Sequence, residues 1–258
     1  MPATSPPVIY RYLPLRPDAV DLIRNGRLWF SNPARFNDPF DFLPDFSKRA
    51  KEAVFMEGTK KDRDRRVREF CEKMRGRFLK DLGRTFCLAC FCELPDSILM
   101  WSHYAANHTG LCIGIRPDKM RLPPEKALRW KVHYDDERLP FEHPKPNELP
   151  LRKALAWEYE NEWRVVMEIN DLTLGRRPLP RPSKRPLRRK RPRAPEPFLR
   201  LQWDAFESVR LGALVNPKKR SEVLKILQRA EQRHIEVFQM YLAADRFKLE
   251  EERFPSRS

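Results

Sequence analysis

Apolar positions along the chain follow two rhythms, and each change of rhythm marks a new element. Residues 8–15 (VIYRYLPL) are rich in Val, Ile and Tyr and end in prolines, which predicts a strand. Residues 16–28 (RPDAVDLIRNGRL) change to helical spacing. Pro17 and Asp18 suit a first turn, Ala19, Val20, Leu22 and Ile23 supply one apolar face, and Asn25-Gly26 closes the helix. RLWFSN (27–32) returns to strand, and ARFNDPFDFLPD (34–45) is a turn-rich connection in which Asn37-Asp38-Pro39 disfavours helix. From Phe46 to Leu82 the chain is charged, with Val67, Phe70, Met74 and Phe78 at helical intervals.

The continuous apolar character of RTFCLACFC (84–92) predicts a buried strand. DSILMWSHYAANH (96–108) reads as a short helix capped at Asp96 or Ser97, followed by strands in GLCIGI (110–115) and RWKVHY (129–134). LPLRKALAW (149–157) begins helically and gives way to a strand in NEWRVVMEI (161–169). The order closes with a strand in ESVRLGALV (207–215), a helix over 217–234 opened by Pro217, and a strand in IEVFQMYLA (235–243). No internal repeat is present. The sequence predicts one mixed α+β domain over residues 8–253, with largely antiparallel strands and flanking helices.

Charge changes this picture at one place. The formal net charge is +16, and residues 175–197 (GRRPLPRPSKRPLRRKRPRAPEP), with ten Lys/Arg and one Glu, contribute +9 of it. The rest of the chain carries an ordinary +7, so the basicity is largely local. So much proline and like charge does not pack, and an exposed, disordered insertion is expected there. Arg188, Arg189, Lys190 and Arg191 are its candidates for salt-dependent contact with nucleic-acid phosphates, without aromatics to stack bases.

Five cysteines without regular spacing argue against a disulfide framework and fit a reducing cytoplasm. The first residues show no secretory signal, and the longest apolar run, Phe86–Cys92, is far below the ~20 residues of a membrane span. A cytoplasmic protein without a membrane partner is expected.

Most catalytic motifs are missing. Only eight glycines occur, and there is no dinucleotide fingerprint, P-loop or nucleophile elbow. Cys87 faces away from Cys90 and Cys92 on a strand, so the three do not converge on one ion. His103 and His108 diverge by roughly 140° on a helix. No metal is expected, and a metal-dependent nuclease using these histidines and glutamates is the least supported reading.

WEYENEWRVV (157–166) is different. On a strand, Glu158, Glu160, Glu162 and Arg164 share one face. Glu158 suits a solvated position, whereas the flanking Trp163, Val165 and Val166 place Glu160 and Glu162 in the body of the protein. Carboxylates there need cations or donors, with Arg164 and Arg11 as candidates.

Several motifs occur together in order: IYRY, GRLWFSNPARFNDPFD, CFCELPDSILMWSHYAANHTGLCIGI, KALAWEYENEWRVV and FESVRLGALV. In this combination the chain resembles the bacterial domain-of-unknown-function family 2971 from roughly Val8 to Arg253, apart from the insertion. More distantly, the IYRY…LIRNGRLWFS opening and the Glu-x-Glu pair are similar to ADP-ribosyltransferase-like domains. That similarity implies an ADP-ribosyltransferase-like fold that binds NAD as substrate. It implies transfer of ADP-ribose to an unidentified macromolecule, nucleic acid among the candidates, or hydrolysis of NAD. It assigns Glu162 as the catalytic carboxylate with Glu160 beside it. Arg11, Tyr12, Ser31, His103, Tyr104 and Arg164 become the NAD-contacting residues, with Tyr104 stacking on nicotinamide. Ser31 stands in FSNP rather than a Ser-Thr-Ser string, a departure from that pattern. The alternative is a non-catalytic nucleic-acid- or protein-binding domain using the basic insertion.

Overall fold

Ile9–Leu13 forms β1, and its place at the middle of a sheet explains why Arg11 is almost as buried as the apolar residues around it. The computed structural model describes residues 6–53, 57–122, 128–142, 146–178 and 195–255, and twelve further strands and five α-helices follow in mixed order among them. The helix after β1 is α1 (Pro17–Asn25), which ends where Gly26 adopts a left-handed φ of 68° and returns its N–H to Leu22. A side chain at Gly26 would meet the Leu201 carbonyl at 2.4 Å. Burial of Leu22 and Ile23 on this helix contributes roughly 1.5–3 kcal/mol each.

β2 (Arg27–Trp29) comes next, then α2 (Ser47–Ala53) and α3 (Lys60–Thr85). The expected helical run from 46 to 82 is therefore two helices, and the second, capped by Thr59, extends to Thr85. β3 (Phe86–Cys92), α4 (Ile98–Tyr104) and β4 (Leu111–Ile115) follow the sequence pattern, with Ser97 capping α4. RWKVHY breaks at Val132 into β5 (Leu128–Lys131) and β6 (His133–Tyr134). No α-helix forms in 149–157. Instead, 3-10 turns at Pro146–Leu151 and Leu155–Glu160 flank the two-residue β7 (Arg152–Lys153).

The remaining elements are β8 (Glu162–Glu168), β9 (Thr173–Gly175), β10 (Glu196–Arg200), β11 (Phe206–Leu211), α5 (Pro217–Leu227), β12 (Glu236–Leu242) and β13 (Leu249–Arg253). Eight strands form the main sheet in the order β13-β12-β11-β4-β1-β3-β8-β5. Every pairing in it is antiparallel except β11 with β12, which α5 connects. The α+β class and largely antiparallel sheet expected from sequence are what the chain forms. β2, β10 and β9 make a second, three-stranded sheet.

Both faces of the main sheet are covered at its centre. Ile9, Ile113 and Val209 pack with α1 and α5 through Leu22, Ile23 and Val223, while Tyr12, Cys92 and Cys112 face Trp101 and Met240. This double burial is why FCLACFC and GLCIGI read as unbroken apolar runs. Among the described residues no helix is long and apolar enough to cross a membrane.

The ends of the basic stretch 175–197 are ordered. Gly175 closes β9 opposite Glu196 of β10, and Arg177 bonds both Asp18 and Glu196. Residues 179–194 lie outside the described residues, and so do Arg188, Arg189, Lys190 and Arg191, where phosphate contact is expected from sequence.

Candidate functional site: a carboxylate–lysine cluster below an arginine-rimmed cavity

β1 pairs with β4 over five residues but meets β3 at the single pair Tyr10–Cys92. Where the two strands part, backbone carbonyls lose their ladder partners. The Arg11 guanidinium fills this gap, donating to the carbonyls of Cys90 (3.2 Å) and Trp29 (3.3 Å) with its plane near the Phe91 ring. Above the parting lies a cavity of about 450 Å³, within the usual range of small-molecule sites.

Its carboxylate–lysine cluster is built from three short segments. Lys153 comes from β7, Glu160 ends a 3-10 turn, and Glu162 opens β8. Glu160 is therefore not on the strand where the sequence places it. Asn161 reverses the chain in a left-handed conformation (φ 41°), a conformation Asn tolerates better than most residues, and this brings both carboxylates onto the Lys153 ammonium. Lys153 donates to Glu160 and, at 3.0 Å, to Glu162. The Tyr104 hydroxyl at the end of α4 donates to the other Glu160 oxygen at 2.5 Å.

Arg164 lies beneath. It grips Glu162 through Nε (2.8 Å) and Nη2 (2.9 Å), Asp41 through both terminal nitrogens (2.9 and 2.8 Å), and the Pro150 carbonyl (2.7 Å). Those contacts use all five guanidinium donors, and the side chain has no exposed surface. The Phe42 ring lies 4.6 Å from its Cζ.

Three buried carboxylates against two buried cations leave a formal charge of −1, and one carboxyl must hold its proton more tightly. Burial and the nearby Glu162 raise the proton affinity of Glu160 above the ordinary range, in spite of Lys153 and Tyr104. For Glu162, burial is outweighed by Arg164 and Lys153, which pull its carboxyl down to about 2. Lys153 is raised, since Glu162 and Glu160 overcome the effect of burial, and burial foremost raises Tyr104. Two carboxylates thus have opposite characters. Glu162 is held towards its ionised form, whereas the proton affinity of Glu160, like that of buried Asp41, is raised.

The cavity is lined by cations as well. Arg16, Arg35 and Arg177 line it with Asp18 and Ser31, and so does Arg11, lowered to about 10 chiefly by burial. Arg35 and Arg177 share Glu196, at 3.0 and 3.4 Å. Arg11 and Arg16 have no carboxylate partner among the described residues.

Of the residues singled out from sequence, Arg11, Tyr12, Ser31, His103, Tyr104, Glu160 and Glu162 all line this cavity. Arg164 does not: its donors are spent on Glu162, Asp41 and Pro150, so it positions Glu162 and makes no contact of its own with the cavity. Arg11, a candidate counter-ion for the glutamates, bonds backbone instead, because its strand lies at the parting of the sheet. Tyr12 gives its hydroxyl to the Leu94 carbonyl at 2.6 Å. Ser31 is held by a backbone bridge to Leu88 that joins the second sheet to β3. His103 sits near Tyr104 and Tyr159, whereas His108 stacks on Trp101; the helix expected to carry both ends at Tyr104, so His108 lies in the turn beyond it and helical spacing does not set their separation.

Two members of the cluster are missed by sequence reading, Lys153 and Asp41. Lys153 sits in a segment that reads as helix. Asp41 belongs to the distinctive FNDPFD string, where Asp38 receives the Phe40 N–H at 2.8 Å and shapes the turn that presents Asp41. Asn37 of the same string reaches the Tyr104 hydroxyl at 3.5 Å.

The class these features define is an α+β protein with a buried carboxylate–lysine cluster at a cavity over a parted sheet. Residues 100–165 match the model of a protein family of unknown function, DUF2971. The resemblance expected from sequence is shown over that segment, which runs from α4 through Lys153, Glu160 and Glu162 to Val165. Neither the curated proteins nor the solved structures gave a match.

Proposed function

We propose that the cavity binds NAD and that the protein is ADP-ribosyltransferase-like, transferring ADP-ribose to a macromolecule or to water. The observation that carries this reading is one cavity lined both by a fixed carboxylate and by four arginines, Arg11, Arg16, Arg35 and Arg177. A dinucleotide needs both. Its pyrophosphate is an anion that guanidinium groups bind well, and cleavage of its nicotinamide–ribose bond develops positive charge on the ribose.

In this reading Glu162, held ionised and immobile by Arg164 and Lys153, faces the developing charge, and its low proton affinity keeps it an anion throughout. The C1′–N bond breaks, and the pair of electrons leaves with nicotinamide, which departs neutral. The incoming hydroxyl or amine forms the new bond at C1′ and gives its proton to Glu160, whose raised proton affinity suits a base. Tyr104, next to Glu160 and open to the cavity, supplies a ring against which nicotinamide can stack.

Binding is tested by calorimetric titration of NAD into wild type and into Arg16→Met and Arg177→Met. The reading expects saturable binding to wild type, weakened about tenfold or more in either variant. Absence of NAD binding to folded wild type would remove it.

A further inference from the structure

A second site lies on the far side of the turn that carries Ser31 and Arg35. We infer that the groove between α3 and the 3-10 turn Pro33–Arg35 binds the phosphate backbone of a nucleic acid. This does not rest on the reading of the cavity.

Over its 26 residues α3 carries eleven Lys/Arg against five Asp/Glu. Lys73, Arg77, Lys80 and Arg84 recur at four-, three- and four-residue steps, so they stand in one line on a single face, and all four are exposed. At 1.5 Å per residue the line is about 16 Å long, the length of roughly five phosphates along one strand. Beside it runs an open groove bounded by Asn32 and Ala34 on one side and by Lys80 and Arg84 on the other.

Two features of the groove have no use inside the molecule. Gly76 sits in mid-helix, where glycine is disfavoured, yet an added Cβ would meet nothing within 4 Å. The bare backbone leaves room for a partner. Arg75, also lining the groove, has a solvent-shielded Nε without a hydrogen-bond partner. Of the acidic residues Glu72 lines the groove, and Asp81 pairs with Arg84 at 3.4 Å, an exposed ion pair that a phosphate can displace.

A nucleic acid fits better than a membrane or an apolar protein partner. None of the exposed large hydrophobic residues is on α3; Phe78 and Leu82 pack inward, and Leu79, which packs on the same core, is the one large apolar side chain that also lines the groove. What remains is a row of cations with an open floor, which suits a regular polyanion.

The test is anisotropy of a labelled 20-nucleotide strand and its duplex, titrated with full-length protein between about 50 and 200 mM salt. For wild type, the logarithm of affinity should fall with the logarithm of salt. Lys73→Ala/Arg77→Ala/Lys80→Ala/Arg84→Ala should weaken binding about tenfold or more and reduce that slope by roughly 3. Gly76→Glu, which adds a carboxylate to the groove while improving helix propensity, should weaken binding with an unchanged or raised melting temperature. The inference is overturned if wild type binds neither probe, if it binds phosphatidylserine vesicles but not the oligonucleotides, or if the variants keep wild-type affinity and slope. The last outcome would place binding elsewhere on the chain.

Discussion

Lys153 is the residue on which the buried charges balance. It is buried with a carboxylate on either side, and removing one member of such a set leaves the others uncompensated. Lys153→Met should therefore cost about 3–5 kcal/mol in urea denaturation, and Lys153→Met/Glu160→Gln should recover part of the loss. Wild-type stability in the single variant would show that the charges are not interdependent. A second residue-scale prediction concerns acid. The folded-state value for Glu162 is depressed to about 2 from an ordinary 4.5, so its stabilisation is complete above about 4.5. It is lost as pH falls from there towards 2, and amounts to about 3 kcal/mol. Glu160 has the opposite sign: raised, it disfavours the folded state as pH rises past the ordinary carboxylate range. Stability measured against pH should accordingly have a shallower acid slope between pH 4.5 and 2 in Glu162→Gln than in wild type. An unchanged slope in that variant would mean that other carboxyls govern acid unfolding.

At the scale of elements, the turn at Asn161 decides whether the site exists. A β-branched residue cannot adopt its left-handed φ of 41° without strain, so Asn161→Val should cost about 1–2 kcal/mol, whereas Asn161→Gly should be tolerated. Thermal melting of the two variants checks this, and equal stability would argue that the turn is not constrained. The same turn shows what was legible in the sequence. Glu160, Glu162 and Arg164 stand out by their two-residue spacing among aromatic and β-branched neighbours, and Glu162 and Arg164 do share a face of β8. Glu160 reaches the same place by a chain reversal that alternation does not encode. Lys153 lies on a strand of two residues between 3-10 turns, too short for any periodicity to register. The long central strands were legible because both their faces are buried. The parting of β1 from β3, which opens the cavity, depends on registers between distant strands and leaves no local trace.

For the whole molecule, the arrangement divides labour between a rigid sheet and a cavity placed where that sheet loses its pairing. Strands β4, β11 and β8 are almost wholly buried and hold their neighbours in long registers. Glu162 opens β8, Arg11 stands on β1 beside β4, and Glu160 is held by Lys153 and Tyr104. Such preorganisation suits a site that stabilises charge developing in a reaction. At the edge, β13 exposes Glu250, Glu251 and Glu252 in succession, and this charge discourages pairing with a further strand. The proposed role of Glu162 is that of the fixed anion of an NAD-cleaving site. Its most direct test is the release of free nicotinamide from NAD by wild type and by Glu162→Gln, at a pH near neutrality where both are shown to be folded. Wild type should release nicotinamide, and the variant should lose about a hundredfold or more of that rate, in line with the removal of one preorganised charge-stabilising group. Equal release by the two proteins, or none by wild type, would contradict it.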